Sequence, residues 1–463
     1  MLEKVLAALL GASWVYWLAA CWLVRDFFHR AGAEPGRRAG AEAGPGTSVQ
    51  PSFRPPVSVL KPVRGVDRGA YENFVSHCRQ DYPEYEIIFG VAEADDPVVP
   101  LIRRLQRDFP ERSIRLIVAP PFGPNRKACL LHELVKAARY DVLVMNDSDM
   151  RVTPDYLARV VQPLADPKVG LVTCPYVGGD VRSLPAALEA LHMGVTFLPS
   201  VVVARKAVNM RFALGASITM RRADLERLGG FAALKDYLAE DFQVGYQTAS
   251  KLGLRVHLSD YIITCVLGDA TFHEQWSQEL RWMRCNRVSR PREYPGLVLT
   301  HSTALAAALA LVSGFSEAAS QALLVTLVLR WAVAWLVTGY TGDRVSRRYL
   351  LWLPVRDILS ALVWVAGGLG RRVSWRGEEY RLEPGGKIRP LRMEDLLEDG
   401  RLSALASAAH GLGPRRGLPK EGGLGGESEA GDELEGDGGL EGEPFASGDQ
   451  GSGPDPKAVL RHS

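Results

Sequence analysis

A chain of 463 residues can hold one domain of ordinary size together with membrane segments and a tail. Its formal net charge of +2 hides an asymmetry: residues 421–449 carry ten acidic side chains and no Lys or Arg, so residues 1–420 sum to +11. That basic body suits an anionic membrane surface or a pyrophosphate group, and the lack of any basic-aromatic motif sets nucleic acid aside. Six scattered cysteines, with no CxxC pair and no His at zinc spacing, argue against a disulfide framework or structural zinc and for a reducing compartment.

In chain order, Val5 to Val24 is an uncharged run of twenty residues that includes Trp14, Trp17 and Trp22. Such a run crosses a hydrocarbon core of about 30 Å. No clear A-x-A cleavage site follows, which favours a retained anchor over a signal peptide. Arg25, Arg30, Arg37 and Arg38 follow the run while Lys4 precedes it, so the positive-inside rule places the next domain in the cytoplasm. Residues 31–56, rich in Gly, Ala and Pro, read as a linker.

From 57 to 292, short apolar strands alternate with helical stretches. Val57–Leu60, Tyr85–Ala92, Ile114–Ala119 and Asp141–Asn146 are predicted strands, with helices over Leu101–Phe109 and Lys127–Ala138. This alternation predicts an α/β domain with a largely parallel sheet, whose ligands gather at the strand C-terminal ends. After Arg292 the chain turns apolar again, with candidate spans at Leu297–Ser316, Ala318–Tyr340 and Leu350–Gly370. Arg330 interrupts the second and is expected to face protein or to snorkel. If all three cross, Arg371, Arg372 and Arg376 fall on the outer face, against the positive-inside preference; a re-entrant or interfacial third segment removes the conflict. Residues 373–383 alternate like a short hairpin, and the Gly-rich acidic stretch from 411 reads as disordered.

Several acids occupy the positions where chemistry is expected. Asp147-Ser148-Asp149 directly follows the predicted strand ending at Asn146. Two carboxylates there can hold a hard divalent cation, Mg or Mn, that grips diphosphate oxygens; the competing reading is an ordinary solvated turn. Asp95-Asp96 follows Tyr85–Ala92, placed for a nucleotide base or ribose, although an Asp before Pro also simply N-caps a helix. Glu240-Asp241 opens a predicted helix running to Leu252. The pair either complements the helix dipole or supplies, in Asp241, a general base for an acceptor hydroxyl. Thr271–Arg290 forms an amphipathic helix from which Gln278, Arg281 and Trp282 project, and Arg284, Arg287 and Arg290 add charge suited to a membrane surface.

Together these motifs resemble those of the ceramide glucosyltransferase-like family, which includes bacterial hopanoid glycosyltransferases. The likeness runs from Pro56–Pro62 with Gly65-Val66-Asp67, through Asp81-Tyr82-Pro83, Asp95-Asp96-Pro97, Asn125, Lys127 and Asp147–Asp149. It continues at Gly215-Ala216-Ser217 and Ala239-Glu240-Asp241 to Gln278–Trp282, then more weakly at Trp375-Arg376-Gly377. The resemblance implies a GT-A (Rossmann-like) glycosyltransferase domain between N- and C-terminal transmembrane helices. It also implies a UDP-sugar donor, a divalent cation, a membrane lipid acceptor and inversion at the anomeric carbon. Carried over by motif, Asp95 or Asp96 binds uridine, Lys127 touches the nucleotide, and Asp147 and Asp149 serve metal and diphosphate. Asp241 is the base, and Gln278, Arg281 and Trp282 close the site. Animal ceramide enzymes have a His after the region matching Leu188-Glu189; Gly194–Ser200 here has none, which leaves the lipid open between ceramide and a hopanoid polyol.

The expected organisation is a membrane anchor (1–30), a linker (31–56), the catalytic domain (57–292), membrane segments (293–372), a short cytosolic extension (373–410) and a disordered tail (411–463). The chain is expected to be an integral membrane protein of a bacterial inner membrane with its catalytic domain cytoplasmic. Two other functions share part of this pattern: a processive polysaccharide synthase, which generally needs more spans for a channel, and a catalytically inactive membrane scaffold.

Overall fold

The computed structural model describes residues 1–33, 53–207, 210–392 and 395. Most of the expected linker and all of the acidic tail lie outside the described residues.

The chain begins with a 32-residue helix, α1 (Leu2–Ala33). An alternating series follows: β1 (Val57–Pro62), α2 (Ala70–Cys78), β2 (Tyr85–Val91), α3 (Val99–Asp108), β3 (Ser113–Val118), α4 (Arg126–Ala137) and β4 (Val142–Asn146). All four predicted strands and both predicted helices are present, shifted by no more than two residues. Continuous burial along β1, β2 and β4 explains their mostly apolar sequence: they are covered on both faces, with Ser58, Lys61 and Glu86 the buried polar exceptions in β1 and β2.

The second half of the domain contains β5 (Met150–Arg151), α5 (Tyr156–Val161), β6 (Val169–Thr173), β7 (Tyr176–Val181), α6 (Leu184–His192) and α7 (Leu198–Ala207). Then come β8 (Ser217–Arg221), α8 (Arg222–Arg227), α9 (Glu240–Ser250), β9 (Arg255–Leu258), β10 (Ile263–Gly268) and α10 (Phe272–Ser289). Seven strands form the main sheet in the order β3-β2-β1-β4-β8-β6-β9, and β5-β10-β7 form a small second sheet. β1 pairs in parallel with both β2 and β4, whereas β8 runs antiparallel to β4. Strand order therefore reverses at β1 and β4, and the crevice beyond their C-terminal ends is where such a sheet binds ligands.

Beyond α10 lie α11 (Ser302–Val312), α12 (Glu317–Thr341), α13 (Arg344–Arg348) and α14 (Leu353–Gly367). A small antiparallel sheet of β11 (Arg372–Trp375), β12 (Glu378–Leu382) and β13 (Ile388–Pro390) ends the described chain. The expected span Leu297–Ser316 is not one straight helix. A 3₁₀ turn over Tyr294–Thr300 meets α11 at 78°, so this segment is broken or re-entrant. α11 alone is 11 residues, about 16 Å, too short to cross by itself. Four other helical stretches are long and apolar enough to span: Leu2–Arg30, Leu184–Ala207, Glu317–Thr341 and Leu350–Gly367. The second was not anticipated. It forms an inner layer, where Leu198, Val201 and Val202 meet Trp17, Val24, Val333 and Val337.

Packing sets the direction of these helices. Leu10 near the start of α1 meets Leu305, Leu309 and Ala319, while Trp17 to Val24 meet Val333 and Val337. Thus α1 and α12 run parallel, with Trp14 bonding Thr326 between those two contact points, and the turn between α11 and α12 lies at the end of α1 farthest from the sheet. Both ends of α14 are held on the sheet side. Just before it, Ser346 donates to Ala190 O at 2.9 Å, and just after it Arg287 donates to Gly368 O at 2.7 Å. Beyond that, Arg376 pairs with Asp67 at 2.9 Å. Both ends of the third apolar segment are thus tied to elements of the α/β domain, an arrangement that fits the re-entrant or interfacial alternative for it. Arg284 and Arg287 satisfy the last carbonyls of α14 and its following turn, a C-capping role, where a lipid-facing surface was expected for them.

Inside the helical layer two ion pairs are fully enclosed. Arg330 contacts Asp357 at 2.8 Å and lies 3.7 Å from the Trp17 ring centroid, and Arg356 contacts Glu279 at 2.6 Å. Arg330 thus faces protein, as expected of a charge within an apolar helix.

Candidate active site

The Asp-Ser-Asp turn leaves β4 at the reversal point. Its backbone is anchored from below by Lys61, a lone cation at the end of β1, which donates to Asn146 Oδ1 at 2.6 Å and to Asp147 O at 3.0 Å. Burial pulls the Lys61 ammonium down to about 7 against the opposing pull of Asp147, Asp149 and Asp67. From the other side, Val266 N on β10 donates to Asp149 O at 2.9 Å. Ser148, the middle residue, donates its hydroxyl to Asp67, the acid at the mouth of the β1–α2 loop. The turn is thus fixed by three strands, and both of its carboxylates are presented to the crevice.

Lys127, in the first turn of α4, reaches Asp147 Oδ1 at 2.6 Å and Glu240 Oε1 at 3.0 Å. Burial alone would depress its ammonium, but Asp147, Glu240 and Asp241 outweigh that and leave its pKa raised. Asn125 caps α4 by accepting from Ala128 N at 2.8 Å and donates to Glu240 Oε2 at 2.9 Å. Both oxygens of buried Glu240 are therefore occupied, and its neighbour Asp241 is the acid left facing the crevice. Asp241 Oδ1 accepts from its own following amide, Phe242 N, at 2.7 Å. Burial and the adjacent Glu240 push its carboxyl up to about 6, with Lys127 pulling the other way. The dipole-complement reading fits Glu240 poorly, because its side chain bonds away from its own helix.

Gly215, just before β8, underlies this arrangement. A Cβ there would lie 2.8 Å from Asp241 Oδ2 and 3.4 Å from Lys127 Nζ. Gly215→Ala is expected to displace the Asp241 carboxylate and lower turnover by about 10²-fold while leaving the melting temperature close to wild type. Steady-state rates beside a thermal unfolding curve check this; unchanged turnover would show that Asp241's placement is unimportant.

The remaining expected residues are distributed unevenly. Asp96 is buried, and its carboxylate accepts from Gly65 N at 3.1 and 3.0 Å and from Val98 N at 2.9 Å. It ties the β1 loop to the turn before α3; Val98 is the N-cap of α3 and Asp96 bonds its amide, so Asp96 braces the helix entry without being its N-cap. Asp95 is exposed beside it. On α10, Gln278 donates to Glu189 Oε1 at 2.8 Å. Arg281 lies over the Trp375 ring at 5.7 Å, with Arg376, Glu240 and Asp241 as charged neighbours and burial holding its pKa down. Trp282 packs against the main core cluster. Asp147, Asp149, Lys127, Asp241 and Arg281 therefore surround one crevice, while Asp96 and Trp282 are engaged in holding the framework. Sequence reasoning gave no site role to Lys61, Asp67, Glu189 or Arg376. Lys61 inside an apolar strand and Glu189 inside an apolar helix were the available signals; Asp67 and Arg376 were marked only by standing in the motifs Gly65-Val66-Asp67 and Trp375-Arg376-Gly377.

Among the described residues no group of three or more His, Cys, Asp or Glu is arranged to hold a metal ion. The site fits a divalent ion only if a bound anion completes the shell, as is usual for Mg²⁺ shared between one or two carboxylates and phosphates. Asp149 has the matching electrostatics: burial, then Asp147 and Asp67, raise its carboxyl to about 7 against the pull of Arg376.

A mixed, largely parallel sheet that ends in paired acids, beside a further raised carboxylate and buried cations, is the arrangement of a group-transfer enzyme. The model of glycosyl transferase family 21 matches residues 9–388, and the chain belongs to that family. It is a glycosyltransferase. Among curated relatives, ceramide glucosyltransferase 3 of Caenorhabditis elegans is 23% identical over 351 residues, 73% of this chain and 75% of the relative. Ceramide glucosyltransferase of Komagataella phaffii is 22% identical over 421 residues, 70% of this chain and 82% of the relative. Among solved structures, a Pyrobaculum calidifontis mannosyltransferase in complex with GDP-mannose and Mn²⁺ is 19% identical at a TM-score of 0.43, over 79% of this chain and 99% of that one.

Proposed function

We propose that this protein is a membrane-bound inverting transferase that moves one hexose from a UDP-sugar to a lipid hydroxyl, with its catalytic domain on the cytoplasmic face. The observation that carries the proposal is Asp241. It is a carboxylate with a pKa near 6, next to an acid already neutralised by Lys127, in the same crevice as the paired aspartates. Asp241 accepts the acceptor's proton as the hydroxyl attacks the anomeric carbon, and a single displacement of this kind inverts configuration. Asp147 and Asp149 would hold Mg²⁺ or Mn²⁺ together with the donor diphosphate, and the ion would offset charge that develops on the departing nucleotide. Lys127 and Arg281 add fixed positive charge there. Asp95, exposed at the end of β2, is the acid available to the uridine, since the carboxylate of Asp96 is taken. Gln278 and Trp282 hold α10 against α6 and the core, so that Arg281 stays aimed at the crevice.

A lipid acceptor fits a protein that meets lipid. Leu18 and Trp22 on α1, Val328 and Trp331 on α12, and Leu351, Val355 and Leu362 around α14 are large apolar side chains left exposed on helices long and apolar enough to span a membrane. Ceramide is proposed first as acceptor because the curated relatives are named for it, with a hopanoid polyol as the other lipid. The purified protein with each of several UDP-sugars, Mg²⁺ or Mn²⁺, and vesicles containing either lipid is expected to yield a product one hexose heavier by mass spectrometry. Polymer, or free hexose alone, would overturn the reading.

A further inference from the structure

We infer that Arg376, at the tip of the β11–β12 hairpin, is a ligand for the donor diphosphate, and that this hairpin straps the crevice closed. The inference rests on the proposed reading of the crevice as a nucleotide-diphosphate site.

Three independent features converge on it. The first is conformational. Trp375 pairs with Glu378, so the turn contains only Arg376 and Gly377, with φ of +52° and +82°. Two positive φ values are the pattern of a type I′ turn, where Asn or Gly normally occupies the first place. Arg there has no conformational advantage and costs strain, so its side chain must supply something.

The second feature is where that side chain goes. Its guanidinium reaches Asp67 Oδ1 at 2.9 Å and Oδ2 at 3.5 Å. Asp149 and Asp147 are its next charged neighbours. Asp67 also receives the Ser148 hydroxyl, so it keeps a partner if Arg376 turns away. A planar guanidinium suited to paired phosphate oxygens is thus joined through Asp67 to Ser148, the residue between the two carboxylates proposed to hold the metal.

The third feature is the anchoring of the hairpin. Glu378, immediately after the turn, bonds Arg64 at 3.2 Å and Arg126 at 2.7 Å, which are residues of the β1 loop and the start of α4. Trp375, immediately before it, lies under Arg281. At the base, Val373, Tyr380 and Leu382 pack with Cys285 of α10 and with Leu238, two residues ahead of Glu240. The strap therefore crosses the crevice from the α10 wall to the β1 wall, with Arg376 over the acids.

The test uses the full-length protein in detergent or nanodiscs with UDP and, separately, uridine as probes in the presence of Mn²⁺. Losing a charged hydrogen bond to phosphate costs a factor of about ten to a hundred in affinity. Arg376→Ala is expected to weaken UDP by that factor and to leave uridine unchanged, with Arg376→Lys falling between. Asp67→Asn separates this role from a structural one. If Arg376 serves the diphosphate, releasing it from Asp67 leaves UDP affinity within about twofold of wild type or tightens it. If the pair merely fastens the hairpin, Asp67→Asn weakens UDP as much as Arg376→Ala does, and the inference is overturned. It is overturned as well if wild type binds UDP and Arg376→Ala binds it equally. Failure of the wild-type protein to bind UDP at all would instead overturn the proposed function, and this inference with it.

Discussion

Asp241→Asn is expected to reduce sugar transfer by about 10²- to 10⁴-fold, the usual worth of a general base, while UDP still binds. The adjacent acid cannot take over. Glu240 is held through both oxygens by Lys127 at 3.0 Å and Asn125 at 2.9 Å, whereas the bond that fixes Asp241 is from its own helix, Phe242 N at 2.7 Å. The pH dependence follows from the elevated carboxyl. Asp241 titrates near 6, and a base acts only when deprotonated. The wild-type rate should therefore be low in acid, rise through about pH 6 and level off above it. In Asp241→Asn that acid limb should vanish together with the activity. Single-turnover transfer between pH 5 and 8, with UDP binding measured in parallel, decides the matter. Near-normal turnover in the variant would assign the base elsewhere.

The largest effect on stability is expected at Arg330, whose side chain is 1% exposed against 3% for that of Asp357. The guanidinium makes two bonds to Asp357, at 2.8 and 3.0 Å, and lies on the Trp17 ring; Thr303 completes the carboxylate at 2.7 Å. Through these contacts α1, α11, α12 and α14 meet at one buried point. Arg330→Met leaves Asp357 charged and enclosed without its cation, a change that costs about 3–5 kcal/mol. Arg330→Met combined with Asp357→Leu removes both charges and should recover most of that loss, since a desolvated pair contributes little net stability over an apolar substitute. Thermal unfolding of the two variants in one detergent compares them. Equal stability of the single and double variants would mean that the pair does not join these helices.

How much could be read in advance differs between elements. The strands β1, β2 and β4 were visible because burial on both faces leaves a mostly apolar run, and the Asp-Ser-Asp turn because it stands where such a run stops. α10 was visible from its helical spacing, and its start at Thr271 is marked by a capping box with Glu274. The break between Thr300 and Ser302 was hidden, because an apolar run has the same composition whether straight or bent. The inner layer over Leu184–Ala207 was hidden for a similar reason: it is as apolar as a lipid-facing helix yet packs against protein.

Local pattern alone established a parallel α/β domain with acids at its strand ends and apolar helices on either side, since backbone period and side-chain polarity are properties of neighbouring residues. Motif singles out Asp241 over Glu240, but because Glu240 is occupied by Lys127 and Asn125, more than a hundred positions away, the physical reason came only from the tertiary structure. It alone turned Asp96 into a framework residue and brought Arg376 to Asp67 across 309 positions. The reason is physical: a charge acquires its role from the partners that folding brings within about 3 Å, and sequence distance has no bearing on which partners those are.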